Sequence, residues 1–197
     1  MLPLILASSS PYRRQLLNKL QLPYQHTSPS IDESPVNADE TADELVSRLA
    51  YEKALALSGE FSQHLIIGSD QVASIEGLIL TKPGSVDKAI EQLQLCRNKK
   101  VCFHTAVTLF NSSTHKSHHH LDHFWVHFKA LTDTQIKNYI TLEQPLDCAG
   151  SFKAEGLGIS LFDALEGRDP NSLIGLPLIG LIELLNKEGV DPLDNQD

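Results

Sequence analysis

Two unbroken apolar runs, residues 2–7 and 65–68, are too short to cross a membrane and read as buried strands. Behind the first run, Ser10 suits a helix N-cap and Pro11 the first helical position, where a missing N–H costs nothing. Leu16, Leu17 and Leu20 carry that helix's apolar stripe, and residues 24–26 read as a short extended piece entering a loop over 28–35. Thr41 and Glu44 form a capping box. It predicts a helix with apolar positions at Ala42, Leu45, Val46, Leu49, Ala50, Ala54 and Leu57, ended by Gly59. The second strand is expected to end at Ser69-Asp70-Gln71, followed by a hairpin over 72–80 that turns at Glu76-Gly77. A Ser85-capped helix to about Cys96, strands over 101–110 and 124–129, and a Thr132-capped helix to about Thr141 come next. A glycine-rich stretch over 146–161 leads to a final helix over 177–187, closed by Gly189, and residues 192–197 read as a frayed tail.

A chain of 197 residues with this alternation is one α/β domain with a sizeable core, and 41% hydrophobic against 21% charged residues excludes wholesale disorder. The balance of 16 basic to 25 acidic residues argues against polymeric nucleic acid or an anionic membrane as partner. Cys96, Cys102 and Cys148 have neither metal-ligand spacing nor an even-numbered framework, which fits a reducing, cytoplasmic setting. No signal-peptide layout opens the chain, and its longest apolar stretch, 173–185, is broken by a proline and two glycines.

Arg13 and Arg14 fall in the first turn of the first helix, where the dipole disfavours cations. With Ser8, Ser9 and free N–H groups beside them they make a phosphate site; the plainer reading is a surface arginine pair. Lys53 lies on the apolar stripe of its helix, so its ammonium must reach an anion or snorkel to water. Histidines 115, 118, 119, 120, 123 and 127 read as a solvated loop that binds adventitious metal at most. Arg13, Glu33, Lys53, Asp70 and Lys82 combine hard oxygens for a divalent ion, a base, and charge for a polyphosphate. No Gly-x4-Gly-Lys-Ser/Thr loop, Gly-x-Gly-x-x-Gly fingerprint or Gly-x-Ser-x-Gly elbow is present. The residues alone reach an anion-binding α/β domain acting on phosphate.

Several stretches together resemble the Maf family of nucleotide pyrophosphatases: Leu6-Ala-Ser-Ser-Ser-Pro-Tyr-Arg-Arg14, Asp32-Glu33, Lys53 in its alanine-rich helix, and Ile67-Gly-Ser-Asp-Gln71. Lys82-Pro83, the run from Cys148 to Phe162, Glu166-Gly-Arg-Asp-Pro170 and Ile174-Gly-Leu-Pro177 continue the likeness in order. The resemblance implies an elongated mixed β-sheet with flanking helices in two lobes, Maf/ITPase-like, with a nucleotide in the cleft between them. It implies hydrolysis of a nucleoside triphosphate between the α and β phosphates with a divalent cation (Mg²⁺, Mn²⁺ or Co²⁺), and it is compatible with a homodimer. In these terms Asp70 accepts the proton, Lys53 and Lys82 with Arg13 neutralise phosphate, Ser8 and Ser9 bind it, and Glu33 with Asp70 holds the ion. Tyr12, Gln71 and Glu155 are similar to the specificity positions of the YceF subgroup, whose implied substrate is 7-methyl-GTP. Tyr12 departs from the tryptophan common there, while Thr81 and Ala106 stand where the family often has glycine. The rival readings are a dTTP- or UTP-directed pyrophosphatase and a non-catalytic nucleotide-binding regulator of cell division.

Overall fold

The computed structural model describes residues 2–34 and 39–194. Its elements are β1 (Leu4–Ala7), α1 (Pro11–Asn18), β2 (Tyr24–Thr27), α2 (Ala42–Ala56), β3 (Leu65–Ile75) and β4 (Leu78–Leu80). They continue with α3 (Val86–Cys96), β5 (Lys100–Asn111), β6 (Lys116–Phe128), α4 (Asp133–Glu143), β7 (Phe162–Gly167), α5 (Pro170–Ile174) and α6 (Leu178–Lys187). One mixed sheet has the order β2-β1-β3-β5-β6-β7, and β4 pairs with the far end of β3. The β2-β1-β3 part is parallel and the rest antiparallel.

Most caps stand where the residue types place them. Ser10 accepts from the N–H of Arg13, and Thr41 and Thr132 each close a full capping box. The hairpin turn needs positive φ at Glu76 and Gly77, which glycine supplies without strain at the second position.

Successive strand residues alternate faces, so the register defines what each face carries. On one face, Leu65 and Ile67 of β3 and Val107 and Leu109 of β5 pack with Leu16 and Leu17 of α1 and Leu181 and Leu184 of α6. Farther along the same strands, Ala73, Ile75, Val101 and Phe103 pack with Phe124, Val126, Leu93 and Ile136 in a second core. These are the two lobes. Between them lies a polar row, Ser69, Gln71 and Thr105, bridged by α5: Gln71 Nε2 donates to Thr105 Oγ1 (2.9 Å) and the Ser172 carbonyl (2.6 Å). Thr105 donates to that carbonyl as well, and the Ser172 hydroxyl donates to Asp122.

The opposite face is covered by α2, which comes close because Gly68 has no side chain. A Cβ there would sit 2.1 Å from the Ala50 carbonyl oxygen and 2.8 Å from the Ala54 nitrogen. Small residues on helix and strand thus bring Lys53 over Asp70.

Three expectations change. β3 does not end at Ser69-Asp70-Gln71 but runs through it, because α2 and α5 cover these polar side chains from opposite faces. The histidines, His115 at the turn excepted, do not form a solvated loop. They lie in β6, where His118 pairs with Glu188 and His119 with Thr108, because the alternation seen at 124–128 extends back to Lys116. The glycine-rich stretch contains two 3-10 turns, Ala149–Ser151 and Leu157–Leu161, and is followed by β7 and α5, which the sequence pattern does not announce. Of the tail, residues 192–194 form a turn; residues 195–197, like Pro35 of the loop, lie outside the described residues. No helix among the described residues is long and apolar enough to cross a membrane.

Candidate active site

β1 pairs with β3 only as far as Ile67, and β4 rejoins that edge only at Ala73. Residues 68–72 of β3 therefore lack a strand neighbour on this side among the described residues, and the chain leaving β1 turns away into α1. The notch between the lobes is a cleft of about 520 Å³, within the range of small-molecule sites. Because it opens on the sheet's edge, residues from both faces reach it.

All the candidate residues line this one cleft: Ser8, Ser9, Tyr12, Arg13, Glu33, Lys53, Asp70, Gln71, Lys82 and Glu155. Lys53 is its electrostatic centre. Although buried, Nζ bonds to Asp70 Oδ1 (2.6 Å) and Glu33 Oε1 (2.8 Å) rather than snorkelling to water. Asp70 is buried and Glu33 is exposed. Partial desolvation at the cleft mouth would raise the Glu33 carboxyl, but the hydrogen bond and charge of Lys53, with Lys82 and Arg13 nearby, hold it below its ordinary value.

The arginine pair divides. Arg13 turns into the cleft, where Nε donates to the Gly175 carbonyl (2.8 Å), an oxygen that also accepts from Ser69 Oγ (3.1 Å). Burial lowers the Arg13 pKa, opposed by Asp70 and Glu33, and a guanidinium stays charged through any such shift. Arg14 leaves the cleft and meets His26. At the N-terminus of α1, Ser8 is buried with Oγ accepting from the Ser10 N–H (3.1 Å), while Ser9 is exposed.

At the far wall, burial and the nearby Cys148, Asp147 and Glu155 push the Tyr12 phenol up to about 12, so it keeps its proton. The Cys148 thiol is likewise pushed up to about 12, chiefly by burial and then by Asp147, which makes it a poor nucleophile. Gln71 spends its amide hydrogens on Thr105, Ser172 and Leu173, leaving Oε1 as its free polar atom among the described contacts.

Sequence reasoning missed Asp147, Lys153 and Gly175. Lys153 stands in the polar island of the glycine-rich stretch, whereas nothing local marks Asp147 or the Gly175 carbonyl. With them the cleft holds four cations (Arg13, Lys53, Lys82, Lys153) and four carboxylates (Glu33, Asp70, Asp147, Glu155). A polyphosphate entering this balanced set brings excess negative charge that the protein alone does not offset. Glu33 and Asp70, an all-oxygen pair beside the cations, fit a hard divalent ion completed by phosphate oxygens.

Residues 3–188 match the sequence profile of a family described as Maf-like protein. A 7-methyl-GTP pyrophosphatase from Alcanivorax borkumensis is 57% identical over 187 residues, which is 95% of this chain and 94% of that one. A protein of the same name from Pseudomonas aeruginosa is 54% identical over 188 residues, 95% of this chain and 97% of that one. The Ham1 protein of Staphylococcus aureus aligns over 65% of this chain and 72% of its own at 14% identity and a TM-score of 0.47.

Proposed function

The chain belongs to the Maf family, and from that premise we propose that it hydrolyses 7-methyl-GTP between the α and β phosphates, giving the monophosphate and pyrophosphate. The observation that carries this reading is Lys53 held between Asp70 and Glu33 in the notch between β1 and β4 on the edge of β3.

In the reaction, water attacks the α phosphorus in line with the bond to the bridging oxygen. A water O–P bond forms, the P–O bond to that oxygen breaks, and pyrophosphate leaves. Lys53 holds Asp70 Oδ1, so Oδ2 is the atom assigned to take the proton from water. Arg13, Lys53 and Lys82 stabilise charge on the phosphate chain, and Ser8 and Ser9 contact it at the positive end of α1. Glu33 and Asp70 would hold a divalent cation (Mg²⁺, Mn²⁺ or Co²⁺), whose charge, when bound, polarises phosphate oxygens. The substrate is a small nucleotide, not a polymer.

Tyr12 and Glu155 supply base recognition. N7 methylation makes guanine cationic and its N1–H more acidic. A ring face then gains roughly 0.5–2 kcal/mol and a carboxylate acceptor roughly 1.5–3 kcal/mol. At about 1.4 kcal/mol per decade this gives at least tenfold preference over GTP. The test is pyrophosphate release from 7-methyl-GTP, GTP, UTP and dTTP side by side. The methylated nucleotide should have the highest kcat/KM, with Glu155→Gln eroding that preference more than it slows turnover. Equal or better use of UTP or dTTP would refute the substrate, and no release from any of the four would leave a nucleotide-binding regulator.

A further inference from the structure

The face of the sheet opposite α5 carries a second cluster of potential metal ligands that this reaction does not use. His104 of β5 and His123 of β6 are direct cross-strand neighbours, so their side chains emerge on the same side. Their rings meet edge to face, with centroids 5.0 Å apart. Over them sits Asp43, in the first turn of α2. Its Oδ1 lies 2.5 Å from His104 Nδ1 and 2.8 Å from His123 Nε2. One ligand atom from each residue falls within 4.8 Å of the others. We propose that Asp43, His104 and His123 form a binding site for a zinc-class divalent cation, separate from the catalytic cleft.

Three observations carry this. The three residues come from three elements and converge on one point, which loosely placed surface histidines do not do. The outer contact of His104 is built: Nε2 lies 2.7 Å from Ser74 Oγ. A proton on Nε2 donated to that hydroxyl leaves the Nδ1 lone pair facing the carboxylate, the orientation a metal ligand requires. Without an ion the other tautomer serves the same geometry, with Nδ1–H donating to Asp43 and the Ser74 hydroxyl donating to Nε2, so the ring can turn its lone pair to an ion without moving. Finally, Asp43 and His123 are exposed enough to open and admit a water as fourth ligand.

Zinc bonds of about 2.0–2.2 Å in tetrahedral geometry place ligand atoms about 3.3–3.5 Å apart. The cluster reaches this by opening its two close contacts by about half an ångström to one ångström. The donor set also separates the sites by metal. Two imidazoles and a carboxylate favour zinc, cobalt or nickel, whereas the all-oxygen pair Glu33 and Asp70 suits Mg²⁺ or Mn²⁺. A bound ion would pin the first turn of α2 to β5 and β6. Lys53 lies ten residues along the same helix, about 15 Å away, so the site acts on the helix that carries the catalytic lysine.

The experiment is thermal melting of the chelator-treated full chain with Zn²⁺ or Mg²⁺, in wild type, His123→Gln and Asp43→Asn. At Zn²⁺ a hundredfold above its Kd, the wild-type Tm should rise by about 5–10 °C. Both variants should lose most of that rise, and Mg²⁺ should give no rise that depends on His123. Absence of a Zn²⁺ shift in the wild type overturns the proposal. An undiminished shift in the variants also overturns it, because the ion then sits on other histidines. Should either variant fail to fold, imidazole NMR of the wild type decides. Two histidines, assigned as 104 and 123, should respond to Zn²⁺ and not to Mg²⁺, and a response confined to other histidines refutes the site.

Discussion

Lys53→Met removes the ammonium while keeping a stem that still packs between α2 and β3. The Lys53 and Asp70 side chains are 8% and 10% exposed, whereas Glu33 is 58% exposed. Released Glu33 can hydrate, so the loss falls mainly on Asp70, left buried without its cation. Each contact is worth about 6 kcal/mol in gross Coulomb terms at an effective dielectric of about 20. The net cost is smaller, because Lys53 no longer has to be desolvated. Breaking a buried pair typically costs about 3–5 kcal/mol, and partial access to the cleft argues for about 3. At about 2–4 °C per kcal/mol for a chain of this size, Tm should fall by about 6–12 °C. Adding Asp70→Asn removes the stranded charge, so the double variant should regain most of the lost stability while staying inactive. Thermal melts of the four proteins at pH 7, with pyrophosphate release alongside, test this cycle. A Lys53→Met protein melting within about 1 °C of wild type would refute the reasoning, as would a double variant no more stable than the single one.

Gly68→Ala should lower Tm, since α2 must withdraw by about 1 Å to clear the new methyl group, at a cost of roughly 1–3 kcal/mol. Turnover per folded molecule should fall with it as Lys53 is drawn from Asp70. Gly59→Ala, whose Cβ meets nothing within 4 Å, is the control, and equal effects in both would refute the close-approach argument. Glu33 gives a pH signature: its folded pKa is depressed despite partial desolvation, mainly by Lys53. Its stability contribution is therefore present above its unfolded pKa of about 4.3 and lost as pH falls through the folded value. Melts from pH 6 to pH 3 should show a flatter acid slope in Glu33→Gln than in wild type, and superimposable slopes would remove Glu33 from the charge set.

Caps and stripes were legible because they depend on local chemistry. Ser10, Thr41, Ser85 and Thr132 each stand at the N-cap their side chains indicate. Lys53 was legible as an anomaly, a charge on an apolar stripe, but its partner seventeen residues away was not a matter of spacing. β3 hid its length because Ser69, Asp70 and Gln71 look like a strand end. They are tolerated mid-strand only because Lys53 meets one face and the α5 carbonyls the other. β7 shows no alternation, since all its residues after Phe162 are exposed, and α5 is five residues long, too short for a periodic signal. The cleft itself follows from where β1 stops pairing with β3, a property of register that no single segment carries. The Asp43–His104–His123 cluster needs the β5–β6 register and the α2 docking together, which is why the histidines alone suggested only a wet loop.

The central claim is attack of water on the α phosphorus beside Asp70, and hydrolysis of 7-methyl-GTP in ¹⁸O-labelled water tests it most directly. Mass spectrometry of the products should find the label in the nucleoside monophosphate and none in pyrophosphate. Label in pyrophosphate would place the attack on the β phosphorus and contradict the account.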